Sequence, residues 1–413
     1  MLISIAWRNL WRNKARSTVI ILAIAIGIVG GVVSDGLMTG MADQRVEAAI
    51  SNEVANIQIH NPEYLLNNEI QYLLPDVTVL ENTISKYPET KGVSAHLRCL
   101  AMASSASAGA GVNLIGVVPE KERIVSEIHN HITEGEYFNS KMRIPAVVGQ
   151  KLAKKLDLKL NDRIIVTFAD TTGTITSGAF EIVGIYKTSN TMFDVANLFV
   201  KKSDLAALAG FSPQSAHELV IRLNDNSKTD VVVHKIKRDF QAAVQSGKIT
   251  VRTWYDIQPL IKSIIEMTNM FSFIFMLVIL IALAFAIVNT MVMAIMERTR
   301  EIGMLMALGM NKKRVFSMIM LETLFLSLAG AILGLAVSLL VVHHYAVYGF
   351  DLTALGEGMN SIGYSAIIYF RVNTGFYITT IIMVILLALI AAISPARKAL
   401  KLQPATAIRN NEF

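Results

Sequence analysis

Hydrophobic residues are gathered into four long runs in this 413-residue chain, whereas polar and apolar residues are mixed over shorter distances elsewhere. The runs 17–34, 267–296 and 372–394 contain no charged residue, and Glu322 is the only charged residue in 315–342. A helix needs about 20 apolar residues to cross a hydrocarbon core of ~30 Å. We therefore predict four transmembrane helices, at residues 17–40, 266–296, 315–342 and 372–394.

Residues 41–265, between the first two of these helices, have the pattern of a globular domain. Short runs rich in β-branched and aromatic residues alternate with stretches of helical periodicity, which predicts an α+β fold. Strands are predicted at 56–60, 112–118, 144–148, 163–168, 180–185 and 218–223, helices at 150–155, 203–209 and 229–244, and a hairpin tip at 170–178.

The positions of the basic residues orient the helices. The net charge is +6, yet residues 41–265 hold 24 Lys and Arg against 24 Asp and Glu. The excess flanks the hydrophobic runs, and short flanks rich in Lys and Arg stay in the cytoplasm. These flanking bases are Arg8, Arg12, Lys14, Arg16, Arg298, Arg300, Lys312, Lys313, Arg314, Arg397, Lys398, Lys401 and Arg409.

Both termini and the 297–314 loop are therefore predicted to be cytoplasmic. The fold class is an α-helical membrane protein with four transmembrane helices and a large α+β extracytoplasmic domain inserted between helices 1 and 2. A loop at 343–371, rich in aromatic residues, is expected to be extracytoplasmic and to lie on the membrane surface. Because no basic patch belongs to the folded domain, nucleic-acid binding is disfavoured.

The two ends of the chain carry further patterns. Ile3, Trp7, Leu10 and Trp11 share one helical face, with a row of Arg residues beside it, which is typical of an amphipathic helix in the membrane interface. We expect this helix at residues 1–16 rather than a signal peptide, since no clear cleavage site follows. Residues 395–413 are expected to form a cytoplasmic tail.

Small residues at four-residue spacing predict close helix contacts. They are Gly27 with Gly31, and Gly330 with Gly334, and such spacing lets two helix backbones approach each other in lipid. Glu322 is a second feature inside the membrane, where an ionised side chain costs on the order of 3 kcal/mol at the centre. It is expected to have a partner, either as a purely structural pair or as part of an element that transmits motion.

The second hydrophobic run is longer than a membrane requires. Its 30 residues would extend about 45 Å as a helix, against a hydrocarbon core of ~30 Å. We hypothesise that this helix, together with residues 36–48, continues outward as a rigid stalk beneath the domain. Tilt of the helix in the bilayer is the alternative.

The loop at 297–314 has the sequence ERTREIGMLMALGMNKKR. Ile302, Leu305 and Met306 share one helical face, Gly309 is placed as a helix stop, and Asn311 can cap the following helix. An apolar ridge with acidic residues on the cytoplasmic side indicates a protein partner.

No motif for catalysis is present. The chain lacks a G-x-S-x-G nucleophile motif and a G-x-x-x-x-G-K-[ST] phosphate loop. Among the histidines of the domain, only His129 and His131 have a spacing that suits two metal ligands on a strand, and no third ligand lies near them. We expect a non-catalytic chain that binds no cofactor or metal of its own.

Four stretches together resemble the FtsX-like, MacB-type ABC permeases, over nearly the whole chain. They are RNLWRNKARS at 8–17, AVVGQKLAKKLDLKLNDRIIV with FEIVGIY at 146–166 and 180–186, the 297–314 loop with the MIMLE that ends at Glu322, and SPARKALKLQPATAIR at 394–409. In this family the short helix after the second span is seated in the ATPase. The resemblance implies that the ATPase-coupling residues here are Glu297, Arg298, Arg300, Glu301, Ile302, Gly303, Leu305, Met306 and Gly309.

The resemblance also implies partners. ATP and Mg would be used by a separate ABC ATPase dimer, which moves the extracytoplasmic domain through the first and second helices. Four spans are too few to enclose a substrate path, so a second permease is implied, as a homodimer or a related heterodimer. Sequence length and layout are closest to the lipoprotein-releasing permeases of the family.

Extraction of lipoproteins from the inner membrane, for outer-membrane trafficking, is therefore the leading hypothesis. The residues expected to contact the lipoprotein or membrane lipid are Val32, Met270, Phe273, Ile274 and Leu277. The alternatives are MacB-like efflux or export with a periplasmic adaptor, and FtsX-like signalling to a cell-wall hydrolase. The 170–178 hairpin lacks the proline of the hooks that recruit a periplasmic carrier in some family members, which weakens the expectation that a carrier docks.

Overall fold

The computed structural model describes residues 3, 6–8, 12, 14–138 and 143–400. The chain divides into two compact units. The helical unit comprises residues 1–43, 265–351 and 367–413, and the α+β unit comprises residues 44–264 and 352–366. Leu10, Trp11 and the C-terminal pattern after residue 400 lie outside the described residues.

The first spanning helix, α1, runs Lys14–Ala48 and continues directly into a π-helical turn at Ala49–Val54. Together they form 41 helical residues, about 60 Å long at 1.5 Å per residue. The turn ends at Ala55, which has a φ of 54°. Because a Cβ disfavours positive φ, this conformation is uncommon for alanine and must be held by its surroundings.

The described part of the α+β unit contains one ten-stranded sheet, in the order β10-β1-β9-β2-β3-β8-β5-β7-β4, with β6 paired to β2 and β7. The strands are β1 Ile57–His60, β2 Thr90–Ser104, β3 Gly109–Val117, β4 Ile132–Gly135, β5 Pro145–Gly149, β6 Arg163–Ala169, β7 Ile175–Tyr186, β8 Asn197–Lys201, β9 Glu218–Leu223 and β10 Thr250–Thr253. The helices are α2 Pro62–Asn67, α3 Val77–Ile84, α4 Pro119–Val125, α5 Gln150–Lys155, α6 Thr191–Ala196, α7 Lys202–Ala209, α8 Thr229–Asp239, α9 Gln241–Gln245 and α10 Trp254–Ile257.

Strand β2 joins two hydrophobic cores. Its first half, from Thr90 to His96, pairs with β9, and its second half, from Leu97 to Ser104, pairs with β3. Val93 and Ala95 pack in a cluster with residues of β1, β9, α3 and α8. Leu97 and the alternate residues after it pack in another cluster with residues of β5, β6, β7 and α7.

The rest of the chain is mainly helical. Its helices are α11 Pro259–Glu297, α12 Thr299–Ala307, α13 Lys312–Tyr348, α14 Gly356–Ser361 and α15 Thr374–Leu400, and β11 Phe350–Asp351 pairs with β12 Ile367–Ile368. Within the described residues, α1, α11, α13 and α15 are long and apolar enough to cross a membrane. The predicted fold class is thereby confirmed, with the α+β domain inserted between the first two spanning helices.

Part of the 343–371 segment belongs to the α+β unit, and its predicted place on the membrane surface stays a prediction. Helix α13 continues to Tyr348, and residues 352–366 group with the α+β unit. The Leu352 N–H donates to the Ala366 carbonyl at 2.8 Å, and Gly363 lies directly against the Arg45 side chain. This main-chain hydrogen bond and the contact with Arg45 hold residues 352–366 within the α+β unit.

Local predictions within the domain were partly correct. Strands β3, β5, β6 and β9 and helix α5 lie where expected, and residues 170–174 form the turn between β6 and β7. The helix predicted at 229–244 is broken at Phe240 into α8 and α9. His129 and His131 lie in a 3₁₀ turn, not on a strand, and the described residues contain no group of three side chains that could hold a metal ion.

Candidate functional site in the 297–314 loop

Backbone hydrogen bonds define both ends of the short helix α12. Gly309 has a φ of 93°, and its N–H donates to the Met306 carbonyl at 3.1 Å, while the Met310 N–H donates to the Leu305 carbonyl at 3.0 Å. This pair of bonds is a Schellman motif, which glycine favours because it has no Cβ. The Asn311 side chain then accepts from the Lys313 N–H at 3.2 Å and caps α13. The predicted stop and cap are both confirmed.

Arg298, the single residue between α11 and α12, provides the partner that Glu322 requires. Its Nη1 lies 3.0 Å from Glu322 Oε1 and 3.1 Å from Oε2. Both side chains are largely buried, at 18% and 14% exposure. Arg298 Nε also donates to Glu301 Oε2 at 3.2 Å. The arginine therefore links the start of α12 to the interior of α13.

Two more ion pairs attach the N-terminal segment to the same loop. Arg12 pairs with Glu301, and Arg16, on α1, pairs with Glu297 at the end of α11. Burial opposes ionisation of Glu301, but the Arg12 and Arg298 guanidinium groups outweigh this effect and lower the pKa of its carboxyl group. The charged cluster, meaning Arg12, Arg16, Arg298, Glu297, Glu301 and Glu322, lines a cavity of about 260 Å³.

The residues of α12 itself fall into three groups by exposure. Ile302 and Gly303 are buried within the chain, and Leu305 and Met306 are half-buried. Met304 and Leu308 are 54% and 84% exposed. Contact of the predicted set with an ATPase stays a prediction. The large apolar side chains exposed here are Met304, on α12, and Leu308, directly after it, and neither was among the predicted residues.

The predicted lipid-contact residues also differ in exposure: four are exposed and one is buried. Met270, Phe273, Ile274 and Leu277 are exposed on α11, between 43% and 61%. Val32 is only 1% exposed and packs inside the chain, so it is not available to lipid in this structure. No sequence pattern indicated Asp35, a buried acid on α1 whose carboxylate accepts from the Ser272 hydroxyl of α11.

The paired glycines lie at close helix contacts. A Cβ on Gly330 would come within 2.8 Å of the Ile24 Cβ, and a Cβ on Gly334 within 3.0 Å of the Ala25 Cα and carbonyl oxygen. Gly27 and Gly31 face Leu283 and Met276 of α11 in the same manner. Helix α1 therefore packs against both α11 and α13 through positions where a side chain would not fit.

Two family models match this chain. Residues 273–404 match the FtsX-like permease C-terminal model, and residues 17–239 match the MacB-like periplasmic core domain model. The chain belongs to the FtsX-like, MacB-type permeases. It is accordingly a permease of the ABC transporter class and a multi-pass membrane protein, as the sequence resemblance implied.

Relatives of this permease include proteins named for different functions. It is 24% identical to the lipoprotein-releasing system transmembrane protein LolC of Neisseria meningitidis, over 83% of this chain and 84% of that protein. It is 24% identical to an ABC transporter permease of Methanocaldococcus jannaschii, over 71% and 69%. It is 27% identical to the macrolide export ATP-binding/permease protein MacB of Escherichia coli, over 45% and 26%.

The α+β domain of the permease contains a buried ionic network that sequence patterns did not indicate. His96 on β2 lies 2.6 Å from Glu122 on α4 and 3.1 Å from Glu218 on β9, and Arg98 donates to Glu218 at 3.0 Å. Burial disfavours the charged form of His96, but the carboxylates of Glu122 and Glu218 outweigh it and raise the pKa to about 9. Burial likewise opposes ionisation of Glu218, but Arg98 and His96 hold its pKa well below the usual range.

The raised pKa of His96 predicts that alkaline pH destabilises the permease. A histidine whose pKa rises on folding contributes stability fully below its unfolded pKa of about 6.5. That contribution, on the order of 3 kcal/mol, is lost as the pH rises through about 9. We expect the melting temperature of the detergent-purified permease to fall between pH 7 and pH 10, and this fall to be much smaller in His96→Gln. A wild-type slope retained in His96→Gln would contradict the assignment.

Proposed function

We propose that this permease couples ATP hydrolysis by a separate ABC ATPase to movement of its α+β domain, and that it thereby extracts lipoproteins from the outer leaflet of the inner membrane. A second permease copy or a related chain would complete the assembly, with both termini in the cytoplasm. ATP and Mg would act in the ATPase subunit. The similarity to LolC over most of both chains supports this choice of substrate.

The observation that carries the proposal is the apolar exposure of α11. In the most apolar 18-residue stretch of α11, only 17% of the residues are buried. The corresponding stretches of the other three spanning helices are 28% to 39% buried. Met270, Phe273, Ile274 and Leu277 lie on this exposed surface. A helix with so much unburied apolar surface is suited to contact acyl chains, because hydrocarbon makes no demand for hydrogen bonds.

The charged cluster of the 297–314 loop supports the coupling part of the proposal. Arg298, Glu301 and Glu322 connect α12 to α13, while Arg12 and Arg16 connect the same loop to the N-terminal segment and α1. A push on α12 would therefore be transmitted directly to the spanning helices. Met304 and Leu308 provide an exposed apolar surface that a partner can cover.

Photo-crosslinking from two phenylalanines of α11 tests the substrate. Phe273 and Phe285 are 61% and 66% exposed and lie about 18 Å apart along the helix, so they sample different depths of the bilayer with similar exposure. We expect a photoreactive residue at Phe273 to crosslink to an acylated lipoprotein, and one at Phe285 to crosslink only to bulk lipid. Adding the ATPase and ATP should release the lipoprotein and reduce the Phe273 adduct.

The similar exposure of Phe273 and Phe285 at different depths also defines the contrary results. Equal lipoprotein crosslinking from Phe273 and Phe285 would mean that lipoproteins contact α11 at random in the membrane. An active complex in which neither position crosslinks to lipoprotein would remove lipoprotein as the substrate. In that case export of another substrate or signalling would replace the proposal.

A further inference from the structure

Glu53, in the π-helical turn that follows α1, is a buried carboxylate with donors from three separate parts of the chain. Its side chain is only 5% exposed. Arg45 donates to both of its oxygens, at 2.9 and 3.3 Å, Asn190 Nδ2 donates at 3.0 Å, and Gln258 Nε2 donates at 2.7 Å. We call these four residues the Glu53 junction. Donors on several sides hold a buried carboxylate in one orientation.

Each donor of the Glu53 junction belongs to an element with a different role. Arg45 lies on the last turns of α1. Gln258 directly precedes Pro259, the first residue of α11. Asn190 is the N-cap of α6, where its side-chain oxygen accepts from the N–H groups of Met192 and Phe193. One carboxylate thus connects the end of the first spanning helix, the start of the second, and a helix of the domain.

The segment between the third and fourth spanning helices reaches the same point. Gly363 lies against Arg45 so closely that a Cβ there would come within 2.7 Å of the Arg45 Nε. Its φ of 84° also favours glycine. Arg45 is therefore enclosed by Glu53 on one side and by the backbone of residues 352–366 on the other.

The backbone at the Glu53 junction is irregular. The hydrogen-bond register changes from α-helical to π-helical at Ala49, and the turn ends at Ala55 with a φ of 54°. π-Helical turns interrupt a helix at the cost of weaker hydrogen-bond geometry, and they occur often at functional positions. A residue held in the left-handed region stores strain that the surrounding contacts must balance. The junction therefore combines strained backbone with a buried charge.

A second ion pair ties the same segment to the sheet. Arg222 on β9 donates to Glu47 at 2.9 Å. The Leu223 N–H donates to the Asn56 side chain at 2.8 Å, directly after the turn. These contacts hold the segment on the domain independently of Glu53, so a change at Glu53 alone need not unfold the domain.

We propose that Glu53 is the positioning residue through which movement of α1 and α11 reaches the α+β domain. The inference rests on the proposed function, because it assumes that ATP hydrolysis moves these helices. When the ends of the two helices shift, the carboxylate transfers the displacement to α6 through Asn190 and to residues 352–366 through Arg45. Without it, the helices still respond to the ATPase, but less of their movement reaches α6 and residues 352–366.

Two substitutions test this assignment in the complete complex with its ATPase. Glu53→Gln keeps the shape of the side chain and removes the charge, and Gln258→Ala removes only the connection to α11. Gln71→Ala is the matched control, since the Gln71 side chain donates only to Glu69 in an exposed position. We expect both junction variants to hydrolyse ATP within twofold of wild type, while the lipoprotein released per ATP falls at least fivefold. Gln71→Ala should behave as wild type.

A distance measurement separates this proposal from the choice of substrate. Labels at Ile175→Cys, in the domain, and Phe285→Cys, on α11, report domain movement by energy transfer, and the buried Cys99 does not take up label. We expect the ATP-dependent change in transfer to be clearly smaller in Glu53→Gln and Gln258→Ala than in wild type. If the domain moves in both variants as it does in wild type, the proposal for Glu53 is wrong.

If the domain of the wild-type complex moves but no lipoprotein is released, the proposed substrate is wrong and the result for Glu53 still stands. Should Glu53→Gln fail to fold, Gln258→Ala alone decides.

Discussion

Glu322→Ala is expected to destabilise the permease by about 3 kcal/mol and to abolish ATP-driven transport, because it leaves the Arg298 guanidinium buried without its main partner. The two charges are held 3.0 Å apart at 18% and 14% exposure. Removing one member of such a pair exposes the full desolvation cost of the other. Thermal unfolding of the purified chain and ATP-driven substrate release measure the two effects. Glu120→Ala, at an exposed position in the α+β domain, should change neither.

A double substitution distinguishes a structural ion pair from one that transmits motion. Arg298→Met with Glu322→Leu replaces both charges by apolar side chains, and such replacement of a buried pair is often neutral for stability. If the pair transmits motion, this variant should recover the melting temperature but not ATP-driven release. Recovery of both properties would show that the pair is structural only. Wild-type stability of Glu322→Ala itself would contradict the contact.

Gly334→Leu is expected to separate α1 from α13 and to reduce the yield of folded permease severely. A Cβ at this position would already lie 3.0 Å from the Ala25 Cα and carbonyl oxygen. Those atoms are backbone, so no rotamer change can relieve the contact, and we expect a cost of about 3 kcal/mol, toward the upper end for overpacked positions. Size-exclusion profiles and thermal unfolding in detergent measure the loss.

Ala336→Leu is the matched control for this prediction. Ala336 lies on the same helix, two residues further on, and is exposed. A leucine there should be tolerated, since lipid accommodates it. Equal effects of Gly334→Leu and Ala336→Leu would mean that α13 tolerates no added bulk anywhere, and that the close contact with α1 is not the cause.

The sequence predicts the membrane part of the fold well because its signals are local. An uncharged run reports a spanning helix by itself, and Gly309 and Asn311 report the ends of α12 and α13 by their own backbone preferences. The hydrophobic residues around Glu322 in the sequence also predict that it needs a partner. The identity of that partner could not be predicted from the sequence, since Arg298 reaches Glu322 only after the chain has turned through α12.

The α+β unit was harder to predict for physical reasons. Strand β2, although the longest, has a mixed pattern of small, polar and apolar residues, because its two halves pack in different cores. The network of His96, Glu122 and Glu218 joins residues far apart in sequence, and the Glu53 junction joins residues as distant as Glu53 and Gln258. No local periodicity reports such contacts.

Sharing β2 between two cores has a consequence for how the domain comes apart. Melting of either half of the sheet frees one end of the strand that the other half pairs with, since the single 15-residue β2 pairs with β9 through its first half and with β3 through its second. We expect amide hydrogen exchange in β3 and β9 to proceed with one common opening free energy. If the chain is cleaved between Ala95 and Leu97, neither half of the sheet should fold independently. Proteolysis at this point would therefore unfold the entire α+β domain.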